Sequence, residues 1–136
     1  MKKILLKIGF GLLLLSVLGA GCEEDLKTTC IEGNVIGYEE CLKATLIEVK
    51  NVDNMGKTIT YYDPEIGDSI YNNVIKSPDI YPKGKIYFTY RTYNSEVDAN
   101  LFSYDPPQAC QALYGPYDVT IFVITDYSQS NCPQEK

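Results

Sequence analysis

Four cysteines at widely separated positions, Cys30, Cys41, Cys110 and Cys132, constrain this chain more than any other feature, because the sequence contains no histidine to accompany them. Zinc sites place cysteines in close pairs such as C-x-x-C and commonly recruit histidine. These spacings are too wide for that chemistry. In a domain exported from the cytoplasm, an even number of cysteines reads as a disulfide framework. The expectation is therefore two disulfides and no metal.

The beginning of the chain supplies the export signal. Lys2, Lys3 and Lys7 precede an apolar run at 8–18, broken by Gly9, Gly11 and Ser16. Such a run has the length of a signal-peptide core and is short for a hydrocarbon layer of about 30 Å. It ends in Leu18-Gly19-Ala20-Gly21-Cys22, where small residues let a peptidase bind the extended backbone closely. This segment resembles the lipobox of the bacterial lipoprotein family. Ala20, Gly21 and Cys22 match that pattern. Gly19 departs from it, since an apolar residue is usual there and Leu18 sits one place early. The resemblance implies cleavage before Cys22 and acylation of its thiol, each buried CH₂ of lipid contributing about 0.8 kcal/mol to anchoring.

Glu23, Glu24 and Asp25 follow directly. They resemble the acidic tag of surface-exported lipoproteins in Bacteroidota-type bacteria, and read equally as a solvated tether. The segments GNVIGYEEC (33–41) and CQALY (110–114) look similar to small lipoproteins of the same type, a resemblance that brings no activity with it. The expected organisation is a signal peptide at 1–21, an acidic tether at 22–29, one β domain at 30–132 and a tail at 133–136. The expected location is the cell envelope, lipid-anchored to the outer membrane through Cys22.

Removing residues 1–21 takes three lysines and no acid from a chain with 12 basic and 18 acidic residues, leaving a formal charge of −9. Phosphate backbones demand clustered lysine and arginine, so nucleic acid is not an expected partner.

Alternating and β-branched residues point to strands at 30–38, 41–52, 57–62, 85–93 and 117–125, with a weaker one at 70–75. Turns are expected near Tyr38 to Glu40, at Asp53-Asn54-Met55-Gly56 and at Tyr81-Pro82-Lys83-Gly84. Pro106 and Pro107 can open a short helix at 105–113 that Gly115 stops. Lys43, Thr45, Ile47 and Val49 share one face of their strand while Leu42, Ala44 and Leu46 share the other. Neither face is cleanly polar, which suits a curled or double-layered sheet. The fold class is all-β, a small barrel of five to six strands (OB-like) or a two-sheet sandwich, with one short helix and two disulfides. Cys30 and Cys41 fall at opposite ends of a strand hairpin, beyond the roughly 7 Å Cα separation that a disulfide allows. The expected pairing is Cys30 with Cys132 and Cys41 with Cys110, ahead of Cys30 with Cys110 and Cys41 with Cys132.

Catalytic signals are sparse. Without histidine there is no Ser-His or Cys-His pair, and Lys76-Ser77 is the one place where a lysine and a serine adjoin. Asp63, Glu65 and Asp68 form the best candidate for calcium, but a Pro-Gly turn explains their spacing equally. Asp68-Ser69-Ile70 resembles a short bacterial O-glycosylation motif. The abundance is in tyrosine, with 12. A tyrosine combines an apolar face with a hydroxyl, suited to glycan stacking or protein contact. Tyr87, Arg91 and Tyr93 share a face of the strand at 85–93 and form the expected ligand-binding patch, which Tyr61, Tyr62, Tyr114 and Tyr117 extend. The same residues read alternatively as filling for a small β core. The expected function is a non-enzymatic binding or assembly module for a protein or glycan. The alternatives are a structural envelope lipoprotein without ligand, or a periplasmic inhibitor that uses a loop at 94–116. No cofactor is expected.

Overall fold

The computed structural model describes residues 29–39, 42–102 and 116–134. Six strands form one sheet: β1 (Ile31–Tyr38), β2 (Ala44–Val49), β3 (Lys57–Asp63), β4 (Gly67–Pro78), β5 (Gly84–Thr92) and β6 (Thr120–Ser128). Their order is β2-β1-β5-β6-β4-β3, and β2 also pairs with β4. Hydrogen bonds thus run in a ring through β1, β2, β4, β6 and β5, with β3 attached outside it. The pairs are antiparallel except β4 with β6, which run parallel and meet only at Ile75↔Thr120 and Lys76↔Ile121. All six strands belong to a single sheet, so the sandwich of two separate sheets does not hold.

Alternation explains the interior. Ile31 and Val35 of β1, Ile47 and Val49 of β2, Ile75 of β4, and Ile86 and Phe88 of β5 point into the ring and form the main core, joined by Tyr81. Phe88 is fully buried, a side chain whose removal from water is worth about 1.5–3 kcal/mol. A bulge at Ile36, between the pairs Val35↔Ile47 and Gly37↔Leu46, shifts the register of β1 and turns the next residues to the other face.

That other face carries a second core. Ile36, Leu46, Val74 and Val119 pack there against Ile59 and Tyr61 of β3, Tyr71 of β4, and Tyr117. The β3–β4 hairpin is therefore laid over the outside of β1 and β2, and Ala44 to Ile47 are buried on both faces. Two residues make this possible. Asn73 adopts φ 54° within β4 and binds the carbonyls of Val49 and Val52 and the amide of Gly56, which pins the β2–β3 loop to the kink. Gly37 leaves open the space that the Tyr61 ring occupies.

Several sequence expectations are displaced. The weak strand at 70–75 is the longest of the six, because β3 pairs with its first half and β2 with its second. The strand at 117–125 starts three residues later and runs to Ser128, where it still pairs with Tyr87. Cys30 and Cys132 are disulfide-bonded, with Cα atoms 5.8 Å apart. Cys41, Cys110 and the helix expected at 105–113 lie outside the described residues. A 3₁₀ turn at Ala99–Leu101 is the helical element among those described.

Candidate functional site

The three residues of the expected patch follow one another along β5 and just beyond it. Ile86 and Phe88 anchor the strand inward, leaving Tyr87 half-buried, Arg91 exposed and Tyr93 half-buried. Lys85 Nζ lies 5.1 Å from the Tyr87 ring centre and 2.9 Å from Glu32 Oε1. Tyr87 first and Glu32 second push the Lys85 ammonium up to about 12. The Arg91 guanidinium grips Asp98 with both ends of its fork, at 2.7 and 2.8 Å. Asp98 is 4% exposed and also accepts the Asn94 amide at 2.8 Å. The Arg91 hydrogen bonds, then that amide, hold its carboxyl down at about 2. Tyr93 meets Phe102 edge to face at 5.5 Å. This row alternates cation and aromatic ring, and each member is held by a neighbour inside the fold. Nothing in the spacing of 91 and 98 signals their pairing, which depends on the loop at 93–98 folding back.

The other tyrosines sit elsewhere. Tyr61, Tyr71 and Tyr117 form an aromatic cluster on the second core, with ring centres 6.5 and 6.0 Å apart. Tyr62 is 37% exposed on the hairpin. Tyr114 and Cys22 lie outside the described residues.

A cleft that sequence reasoning missed opens where β4 and β6 part. Beyond Lys76 and Ile121 the two strands no longer pair, and a space of about 200 Å³ lies between them. Pro78, Tyr81, Leu101, Val123 and Ile124 line it, with the exposed Lys43 and Asp79 alongside. Thr45 braces this end. Its hydroxyl donates to the Asp79 carbonyl and accepts the Tyr81 amide. Tyr81 packs edge to face on Tyr127 at 5.0 Å, and burial, followed by the nearby Asp79, raises its phenol above the ordinary value. Leu101 of the lining and Tyr127 beside Tyr81 leave 40% and 44% of their surface in water at this opening. Large apolar side chains grouped at a cleft are more informative than the same residues scattered.

A second cleft, about 490 Å³, lies beside the β2–β3 loop and is lined by Asp53, Asn54, Gly56, Thr58, Asn72 and Asn73. It is polar and shallow, and Asn73 spends its amide on the loop. The acidic segment 63–68 makes a turn, in which Asp63 Oδ1 accepts the Glu65 amide and Gly67 takes φ 92°. Among the described residues no three carboxylates or cysteines gather as a metal site. Ser69 is opposite Tyr61 within the hairpin. Lys76 and Ser77 project to opposite faces of β4. Lys76 reaches Glu39, and Ser77 Oγ accepts the Ile124 amide at 3.4 Å.

No family model matches the chain, and no curated protein matches it.

Proposed function

We propose that this chain is a lipid-anchored, non-enzymatic binding or assembly module of the bacterial outer membrane. The observation that carries this reading is the Cys30–Cys132 disulfide, a bond that persists in oxidising compartments outside the cytoplasm. It begins eight residues after Cys22, the residue that resembles a lipoprotein acylation site. On this reading the hydrogen-bonded ring is an OB-like barrel. Five strands, one short parallel contact and a gap beside it fit a partly open Greek-key closure. The β5 row of Tyr87, Arg91 and Tyr93 then offers rigid aromatic surface to a protein or glycan, at little further cost in side-chain entropy.

The alternative of a structural lipoprotein without ligand is favoured by the internal contacts of that row, Lys85 with Tyr87, Arg91 with Asp98 and Tyr93 with Phe102. Crosslinked pull-down of the lipidated protein from its own membranes, beside Cys22→Ser, separates the two. The binding reading expects the wild type in the membrane fraction with a stoichiometric partner, and Cys22→Ser released. Tyr87→Ala with Tyr93→Ala should lose the partner at an unchanged melting temperature. A membrane-bound wild type that captures nothing supports the structural reading. Retention of Cys22→Ser in membranes defeats the lipid anchor.

A further inference from the structure

We propose that the opening between β4 and β6 is a docking groove for an extended segment of a protein partner, which lies along β6 and places one large apolar side chain in the cleft. This rests on the binding-module reading and moves the principal contact away from the β5 row.

Three observations select that occupant. First, β6 is hydrogen-bonded to β5 along one edge, but among the described residues its other edge has strand partners only at Thr120 and Ile121. Beyond them, side chains take the amides. Ser77 Oγ accepts from Ile124 at 3.4 Å, a long bond, and Asp126 Oδ1 accepts from its own neighbour Tyr127 at 2.8 Å. An added strand meets such an edge with main-chain groups, the mode in which backbone bonds give affinity and side-chain pockets give selectivity. Second, the cleft of about 200 Å³ is large enough to admit one leucine, methionine or phenylalanine side chain. Pro78, Tyr81, Leu101, Val123 and Ile124 give it apolar walls, and Lys43 and Asp79 add one charge of each sign to its lining. The exposed part of Tyr127, which packs on Tyr81, widens the apolar contact beside it. Third, Asp79 and Asp126 are both exposed beside the edge, against Lys43 alone of opposite sign. The matching strand is therefore basic at its flanks. Basic flanks also complement the acidic excess of the mature chain.

The test uses full-length protein in detergent and a fluorescent seven-residue peptide of alternating threonine and valine, with lysine at both ends and leucine at its centre. Saturable binding is expected at about 0.1–1 mM, a modest affinity for a short unrestrained strand. Replacing the central leucine by glycine should weaken binding about tenfold, from the loss of a buried aliphatic side chain. N-methylation of alternate backbone amides should remove binding. Leu101→Lys lies on an exposed 3₁₀ turn and should block the groove without lowering the melting temperature. Absence of saturable binding, or binding indifferent to N-methylation and to Leu101→Lys, overturns the inference. If Leu101→Lys still captures the envelope partner while Tyr87→Ala with Tyr93→Ala does not, the groove is not the contact and the binding-module reading survives.

Discussion

Lys76 and Glu39 form a buried ion pair that encloses the backbone of Tyr117. Lys76 Nζ stands 2.7 Å from Glu39 Oε2 and donates to the Tyr117 carbonyl at 3.1 Å, while Glu39 Oε1 accepts the Tyr117 amide at 3.3 Å. The side chains are 8% and 2% exposed. The pair thus fixes the entry into β6 against β4 and the end of β1. Lys76→Met leaves a buried carboxylate without its cation and should cost about 3–5 kcal/mol in urea unfolding. Lys76→Met with Glu39→Leu removes both charges but also takes away the Glu39 acceptor of the Tyr117 amide and one of two donors to its carbonyl, which keeps the Val119 amide at 3.1 Å, so it should recover only part of that loss. A single-variant cost below about 1 kcal/mol would show that the pair does not hold β6.

Gly37 and Tyr61 belong to different strands and share one space. A Cβ at position 37 overlaps the Tyr61 hydroxyl and ring, and that ring is confined by Tyr71 and Tyr117. Gly37→Ala should therefore destabilise by about 1–3 kcal/mol through overpacking. Removing the ring relieves the overlap, so Gly37→Ala should be nearly neutral when Tyr61→Ala is already present. Additive losses in that double-mutant cycle would place Tyr61 away from Gly37.

Asp98 makes the loop at 93–98 sensitive to acid. Its carboxyl is lowered from 3.8 to about 2, first by the Arg91 hydrogen bonds and next by the Asn94 amide. A carboxyl whose folded value lies below its unfolded one stabilises the fold above the unfolded value and loses that contribution as pH falls through the folded one. The melting-temperature difference between wild type and Asp98→Asn should be constant above about pH 5 and shrink between about pH 4 and 2. Persistence of the full difference at pH 2 would contradict ionisation of Asp98 as its source.

The disulfide spans 102 residues of sequence. Closing a loop of that length restricts the unfolded chain by about 4–5 kcal/mol at most. Cys30→Ala with Cys132→Ala should lower stability by about 2–4 kcal/mol, measured by urea unfolding without reductant. A loss below about 1 kcal/mol would show that the unfolded chain gains little from release of this link.

What the sequence made legible was local. Ile86, Phe88 and Tyr90 alternate in KIYFTYRT, so β5 and its inward face could be read directly, and the cysteine spacing pointed to the Cys30–Cys132 bond. β4 was underread because its first half carries Asp68, Ser69, Asn72 and Asn73. Those polar residues serve a hairpin with one wet face and a kink at Asn73. The partners of Glu39, Arg91 and Gly37 are invisible in any short window, since each pairing exists only after the ring closes. The cleft is less legible still. It arises from where β4 stops at Pro78 while β6 continues, a difference in length that no hydrophobic pattern encodes.

The position of the Cys30–Cys132 bond gives the fold a mechanical character. β1 and β6 are both hydrogen-bonded to β5, and the bond joins the beginning of the one to the residues just past the end of the other. Tension applied through the residues ahead of Cys30 is divided between two strands that clasp the same central strand from either side. The first strand therefore cannot be peeled away alone, and a load on the leading end of the chain has to shear the ladders of β1 and of β6 together.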